Sequence, residues 1–330
     1  MQKRQDPLRS FQVDFNWYGG KSAKAGLFTD SDPKEYVRYN KQLGCNNMWT
    51  YATSYNGYAW YDSKIAPKNP GLKINFTAET TDFAHQMGMT VFAYVCLADN
   101  PYLIEKNPKL ARVDESMFRM ALSKWYLDYV GSVIEEVMEQ VPQLDGIAID
   151  WFRGASVLER SEWTEDEQKT YSELMGEKVI PGKTTIYEIV EYERRAIARA
   201  WDTLSPLIHA KGKKIWTNHP FEKVFDPVWQ GQKLLKEADY ILNESPNFSL
   251  LDWIISQKGE QTVIVQNLCG WEEHDNKNLN EILDKGLGWF GFAAADPKTC
   301  LPSKEMSQTN DKNIEIMRKF YAKLIQETEQ

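Results

Sequence analysis

Histidine and cysteine are scarce in this 330-residue chain, at four each. Cys45, Cys96, Cys269 and Cys300 form no Cys-x-x-Cys pair, and His85, His209, His219 and His274 form no His-x-x-x-His. Neither set has metal-ligand spacing, so no metal is expected. Cys45 and Cys96 fall at or in apolar strands and read as buried thiols. Cys269 and Cys300 follow consecutive expected strands and could approach one another as a disulfide. No run reaches the roughly 20 apolar residues of a membrane span. The first ten residues are polar and charged, without the apolar centre of a signal peptide. Two readings follow: a secreted or periplasmic protein whose signal peptide is absent from this sequence, or a cytoplasmic one. Positive charge is also short, because 39 Lys and Arg face 47 Asp and Glu for a formal net charge of -8. That balance argues against nucleic acid as the main partner. Gly-rich phosphate loops at strand-to-helix turns are missing, and so is a Gly-x-Ser-x-Gly elbow. No cofactor is expected, and a serine hydrolase is poorly supported.

Aromatic residues, by contrast, are plentiful. The 12 Trp and 16 Tyr fall in many expected loops as well as in apolar stripes. Their flat faces with polar edges suit the C–H faces of sugars, although the same rings also fill cores.

Short β-type runs alternate with helical patterns from end to end, the signature of parallel βα units. Strands are expected at Phe11–Trp17, Asn46–Ala52, Met89–Leu97, Gly146–Trp151, Lys214–His219, Asp239–Glu244, Thr262–Asn267 and Trp289–Ala295. Helices are expected at about Asp32–Leu43, Phe76–Met87, Ser116–Gln140, Thr184–Ala210 and Asp311–Gln326. The first has Asp32 as N-cap, Pro33 at N1 and Gly44 as its stop. Eight strands with a helix after almost every one close naturally into a (β/α)₈ TIM barrel. The chain reads as a single domain, residues 1–330, with a charged insertion after strand four from Arg153 to about Lys183.

In such a barrel the active site sits where the strands end. The polar residues there are Asp14, Asn16 and Trp17, then Asp99 and Asn100, then Asp150 and Arg153. Asn218 and His219, Asn243 and Glu244, Gln266 and Asn267, and finally Asp296 continue the ring. Loop aromatics Tyr55, Tyr58, Trp60 and Trp271 add stacking surfaces. This convergence of hydrogen-bonding groups points to a polyol, and therefore to a carbohydrate substrate. Asp150 ends a buried run, where an unpartnered carboxylate is costly. It serves chemistry, caps the next helix or pairs with Arg153. Glu244 ends strand six and reads as its partner, as a loop carboxylate or as a helix cap. Two carboxylates at one barrel mouth can hydrolyse a glycosidic bond. His85 and His209 fall on helices and read as structural. A cation shared by Asp14, Asp150 and Asp296 would need residues that are scattered along the chain.

The run Met48–Leu72 (MWTYATSYNGYAWYDSKIAPKNPGL) resembles the second-strand region of α-L-fucosidase-like barrels, and more closely the bacterial glycosyl-hydrolase-like barrels related to them. Gly88–Tyr94 (GMTVFAY) resembles the phrase that introduces their third strand, and Asp145–Asp150 (DGIAID) their fourth. The resemblance covers the first half of the chain and implies a glycoside hydrolase with Asp150 as nucleophile. The His-Trp signature of true fucosidases near strand one is missing, so a fucose- or galactose-type sugar and endo action on a polysaccharide both stay open. Arg112, Arg119 and Arg153 could meet sulfate groups. A barrel that binds carbohydrate without cleaving it and a metal-assisted deacetylase or lyase are the alternative readings.

Overall fold

The computed structural model describes residues 6–19, 21–110, 112–114, 117–150, 163–219, 233–244, 248, 250–269, 279, 285–302 and 311–329. The barrel strands are β1 (Ser10–Asp14), β2 (Asn47–Tyr51), β3 (Thr90–Cys96), β4 (Gly146–Asp150), β5 (Lys214–His219), β6 (Tyr240–Asn243), β7 (Val263–Cys269) and β8 (Gly288–Ala294). All neighbours are parallel, and β1 pairs with both β2 and β8, so the sheet closes. The chain forms the expected (β/α)₈ barrel.

Helices α1 (Pro33–Gln42), α2 (Phe76–Gln86), α3 (Pro101–Lys106), α4 (Lys124–Gln140), α5 (Glu165–Met175), α6 (Ile186–His209), α7 (Leu234–Glu237), α8 (Leu251–Gln257) and α9 (Asp311–Glu329) connect or follow the strands. Helix α1 starts where Asp32 Oδ1 accepts from the Lys34 N–H at 2.8 Å, with Pro33 in the first turn. Helix α6 starts at a capping box made by Thr185 and Glu188.

Period-two alternation decides which side chains enter the barrel. Trp49 pairs with Phe92, Phe92 with Gly146, and Gly146 with Lys214, so these four share the inner face. Counting by twos adds Tyr94, Asp150, Trp216 and Asn218, and across β1 it adds Gln12 and Asp14. Rings fill the interior: Trp49 lies 5.1 Å from Trp216 and 4.6 Å from Phe290, and Phe92 lies 5.6 Å from Trp216. Gly146 makes room for them. A Cβ there would fall 2.3 Å from both the Lys214 carbonyl oxygen and the Phe92 ring.

At the opposite end from the strand termini, two His–Asp pairs repeat one arrangement. Asp145 accepts from the Val91 N–H at 2.7 Å and meets His85 at 2.8 Å; Asp239 accepts from the Ile215 N–H at 2.9 Å and meets His209 at 3.2 Å. Both histidines sit in the last turn of a helix and tie it to the strand beyond, which is the structural role expected of them.

Several expectations shift. Strand one stops at Asp14, because Trp17–Tyr18 pairs antiparallel with Lys21–Ser22 outside the barrel. The helix expected from Ser116 begins at Lys124, because Met117–Arg119 pairs with Arg112–Asp114 as a hairpin. No disulfide joins Cys269 to Cys300. The Cys269 thiol lies 3.5 Å from the Phe292 carbonyl and the Cys300 thiol 3.8 Å from that of Phe28. In the insertion, Trp163 and Tyr171 pack against Tyr192 of α6. Among the described residues no helix is long and apolar enough to cross a membrane.

Candidate active site

Asp150 ends β4 facing the barrel interior, and each of its oxygens meets a donor from a neighbouring strand. Asn218 Nδ2 donates to Oδ1 at 2.5 Å, and the Tyr94 hydroxyl donates to Oδ2 at 2.6 Å. Register explains both contacts. Asn218 stands one step past the Ile149–Thr217 pair, opposite Asp150, and Cys96, two residues past Tyr94, pairs with Asp150. Burial first, and then the charge of Asp150, push the Tyr94 hydroxyl well above its usual range. It therefore remains a donor.

Glu244 follows β6 on the same face, two residues beyond Leu242, which pairs with Asn218. Asn218 Nδ2 lies 3.3 Å from Glu244 Oε2. The two carboxylates share one amide, so these oxygens stand no farther apart than the sum of its two bonds, about 5.8 Å. Asn267 of β7 donates to the Glu244 carbonyl at 3.2 Å and fixes the chain where it leaves β6.

A third carboxyl, Asp14, ends β1 at 4% exposure. Burial, then the nearby charge of Asp150, raise it to about 7 against the lowering effect of the Asn16 N–H. That N–H reaches Asp14 Oδ1 at 2.8 Å. The Tyr51 hydroxyl donates to the Val13 carbonyl at 2.9 Å and accepts from the Phe15 N–H at 2.9 Å, which pins the chain on either side of Asp14.

The other expected contacts divide. Asn16 holds the second-strand loop, accepting from the Tyr55 N–H at 2.7 Å. Trp17 lies against Tyr55 at 4.8 Å, and the Tyr55 hydroxyl donates to buried Asp99 at 2.9 Å. Tyr58 meets Tyr102 edge-on at 5.3 Å on the same side of the barrel. Trp60 is not at the mouth; it is buried behind it among Phe15, Tyr51 and Phe76. Gln266 points the other way from Asn267, because it is in register with Asn243 and Trp289, and Trp289 packs on Phe320 of α9. Asn243 Nδ2 donates to Gln266 Oε1 there at 2.8 Å. Asp296 caps its own turn, accepting from the Lys298 and Thr299 N–H groups at 2.9 Å each. Those bonds, Thr299 first, hold its carboxyl below the usual range. Arg153 and Trp271 lie outside the described residues, as do the side chains of His219, Arg112 and Arg119. Among the described residues no three His, Cys, Asp or Glu side chains gather as a metal site. Tyr94 is the residue that strand-end reasoning misses, since it sits two positions short of the end of β3. Its signal is parity with Cys96.

No family model and no curated protein matches the sequence. Solved structures do match. The α-L-fucosidase isoenzyme 2 from Paenibacillus thiaminolyticus superposes with a TM-score of 0.67 at 14% identity, over 97% of this chain and 49% of that one. The chain shares the barrel of the α-L-fucosidases. An α-L-fucosidase from Bacteroides thetaiotaomicron gives a TM-score of 0.50 at 12% identity, over 96% of this chain and 71% of that one. A Bacteroides thetaiotaomicron α-L-fucosidase trapped as a covalent intermediate with 2-fluoro-fucosyl fluoride gives 0.50 at 11%, over 96% and 72%. This chain spans about half the length of the Paenibacillus enzyme. At these identities the likeness is one of fold.

Proposed function

We propose that this chain is a retaining glycoside hydrolase, with Asp150 as nucleophile and Glu244 as acid and base. Residues 1–330 act as one catalytic domain on a fucose- or galactose-type α-linked oligo- or polysaccharide, in the manner of bacterial polysaccharide degradation. The observation that carries this reading is the single amide of Asn218 between the two carboxylates, which keeps their facing oxygens within about 5.8 Å. Retaining enzymes place their carboxyls about 5–5.5 Å apart, whereas inverting enzymes leave about 6.5–9.5 Å for a water. The trapped covalent intermediate of the Bacteroides enzyme supports the same chemistry on this fold.

In the first step an Asp150 oxygen bonds to the anomeric carbon as the bond to the leaving oxygen breaks, and the Glu244 proton passes to that oxygen. In the second, a water oxygen bonds to the anomeric carbon and its proton passes to Glu244. The bond to Asp150 breaks, and both carboxyls return to their starting states. Trp17 beside Tyr55, and Tyr58 beside Tyr102, supply ring faces for sugars around the cleavage point.

Hydrolysis of 4-nitrophenyl glycosides by two variants tests the assignment. Asp150→Asn is expected to lower kcat/KM on the order of 10⁴-fold or more. Glu244→Gln is expected to lower it about 10²–10⁴-fold on glycosides with poor leaving groups, and far less on activated aryl glycosides. Undiminished turnover by Asp150→Asn would sink the assignment.

A further inference from the structure

Asn218 does more than separate two carboxylates. Its side chain projects from the residue before the end of β5 at 5% exposure; of the groups it faces, ionised Asp150 only accepts hydrogen bonds, and Glu244 keeps an acceptor oxygen in either protonation state. The amide is therefore oriented by chemistry: the nitrogen must turn toward the carboxylates, and the oxygen must turn away. That oxygen, Oδ1, is buried and has no hydrogen-bond partner among the described residues. Buried acceptors are almost always satisfied, and no described residue donates to this one, so beside two convergent carboxylates it is open to a donor from a ligand.

We infer that Asn218 is the specificity-determining residue of the site, and that its Oδ1 accepts a hydrogen from the substrate hydroxyl next to the anomeric carbon. The inference rests on the glycosidase reading above. If Asp150 and Glu244 flank the anomeric carbon and its exocyclic oxygen, a group bonded to both lies within reach of the atoms adjoining that carbon. The ring oxygen carries no hydrogen, and the leaving oxygen carries none until Glu244 protonates it. The 2-hydroxyl is left as the adjoining donor, and hydrogen bonds to it strengthen as the oxocarbenium-like transition state forms. The substrate class is thus a glycoside with a free 2-hydroxyl, discriminated from 2-deoxy and 2-O-methyl sugars by the acceptor that those sugars leave unsatisfied.

The test compares kcat/KM for 4-nitrophenyl α-L-fucoside or α-D-galactoside with its 2-deoxy analogue, in the wild-type protein and in Asn218→Ala. Taking the ratio between proteins cancels the greater intrinsic reactivity of 2-deoxy glycosides. The expected result is a preference for the 2-hydroxyl substrate that falls about 10–100-fold in Asn218→Ala. An equal preference in both proteins, with glycosides still hydrolysed, overturns the role of Asn218 and leaves the glycosidase reading standing. Absence of hydrolysis of any glycoside by the wild-type protein overturns both. Should Asn218→Ala not fold, wild-type inhibition by an iminocyclitol and by its analogue lacking the adjoining hydroxyl decides. Binding weakened about 10-fold or more supports the assignment, and equal binding overturns it.

Discussion

Asp14 shows how a single burial changes a residue's chemistry. Its carboxyl lies at the end of β1, out of water and near the charge of Asp150, and rises to about 7 in the folded chain. An unfolded Asp titrates near 3.9. The folded state therefore holds a proton that the unfolded state has released between those pH values. Stability from this group is intact below the unfolded value and is lost as pH rises through about 7. Asp14→Asn keeps the shape and the acceptor for the Asn16 N–H but cannot ionise. Thermal melts of the two proteins are expected to coincide near pH 4 and to diverge above pH 8. There Asp14→Asn is the more stable, by on the order of a few kcal/mol. A wild-type protein that gains on the variant as pH rises would contradict the assigned direction.

Most elements were legible because their patterns are long and periodic. Apolar runs such as Met89–Leu97 are what a strand buried on both faces requires, and the capped helices α1 and α6 carry their start signals locally. Asp150 and Glu244 were legible for the same reason, as polar ends to such runs. What sequence did not show was set by pairing. The hairpins Trp17–Tyr18 with Lys21–Ser22 and Arg112–Asp114 with Met117–Arg119 are two- and three-residue strands that exist only through their partners. Gln266 and Asn267 are neighbours of similar chemistry, yet one residue of parity sends Gln266 outward, and the register shift between Asn267 and Cys269 has no local signal. Trp60 illustrates the same limit, because a loop aromatic can turn into the core as readily as toward a ligand. Gly146, by contrast, is constrained by space that only the assembled barrel reveals. Gly146→Ala must displace both the β5 backbone at Lys214 and the Phe92 ring, or move β4 away from them. Urea denaturation is expected to show a loss of about 1–3 kcal/mol, and an unchanged midpoint would mean that β4 and β5 are farther apart than described.

At the scale of the molecule, eight parallel strands deliver side chains from separate parts of the chain to one mouth, where β3, β4, β5 and the end of β6 assemble Tyr94, Asp150, Asn218 and Glu244. The interior beneath them is filled by aromatic rings. The same barrel in α-L-fucosidases shows that this architecture can carry glycosidase chemistry. In this chain one amide holds the two carboxylates close together. Proton NMR during hydrolysis of an α-linked aryl glycoside reads that spacing through the sugar first released. Two successive displacements at one carbon, through Asp150, predict that the α-anomer appears first and then mutarotates. First release of the β-anomer would mean a single displacement by water and would contradict the account.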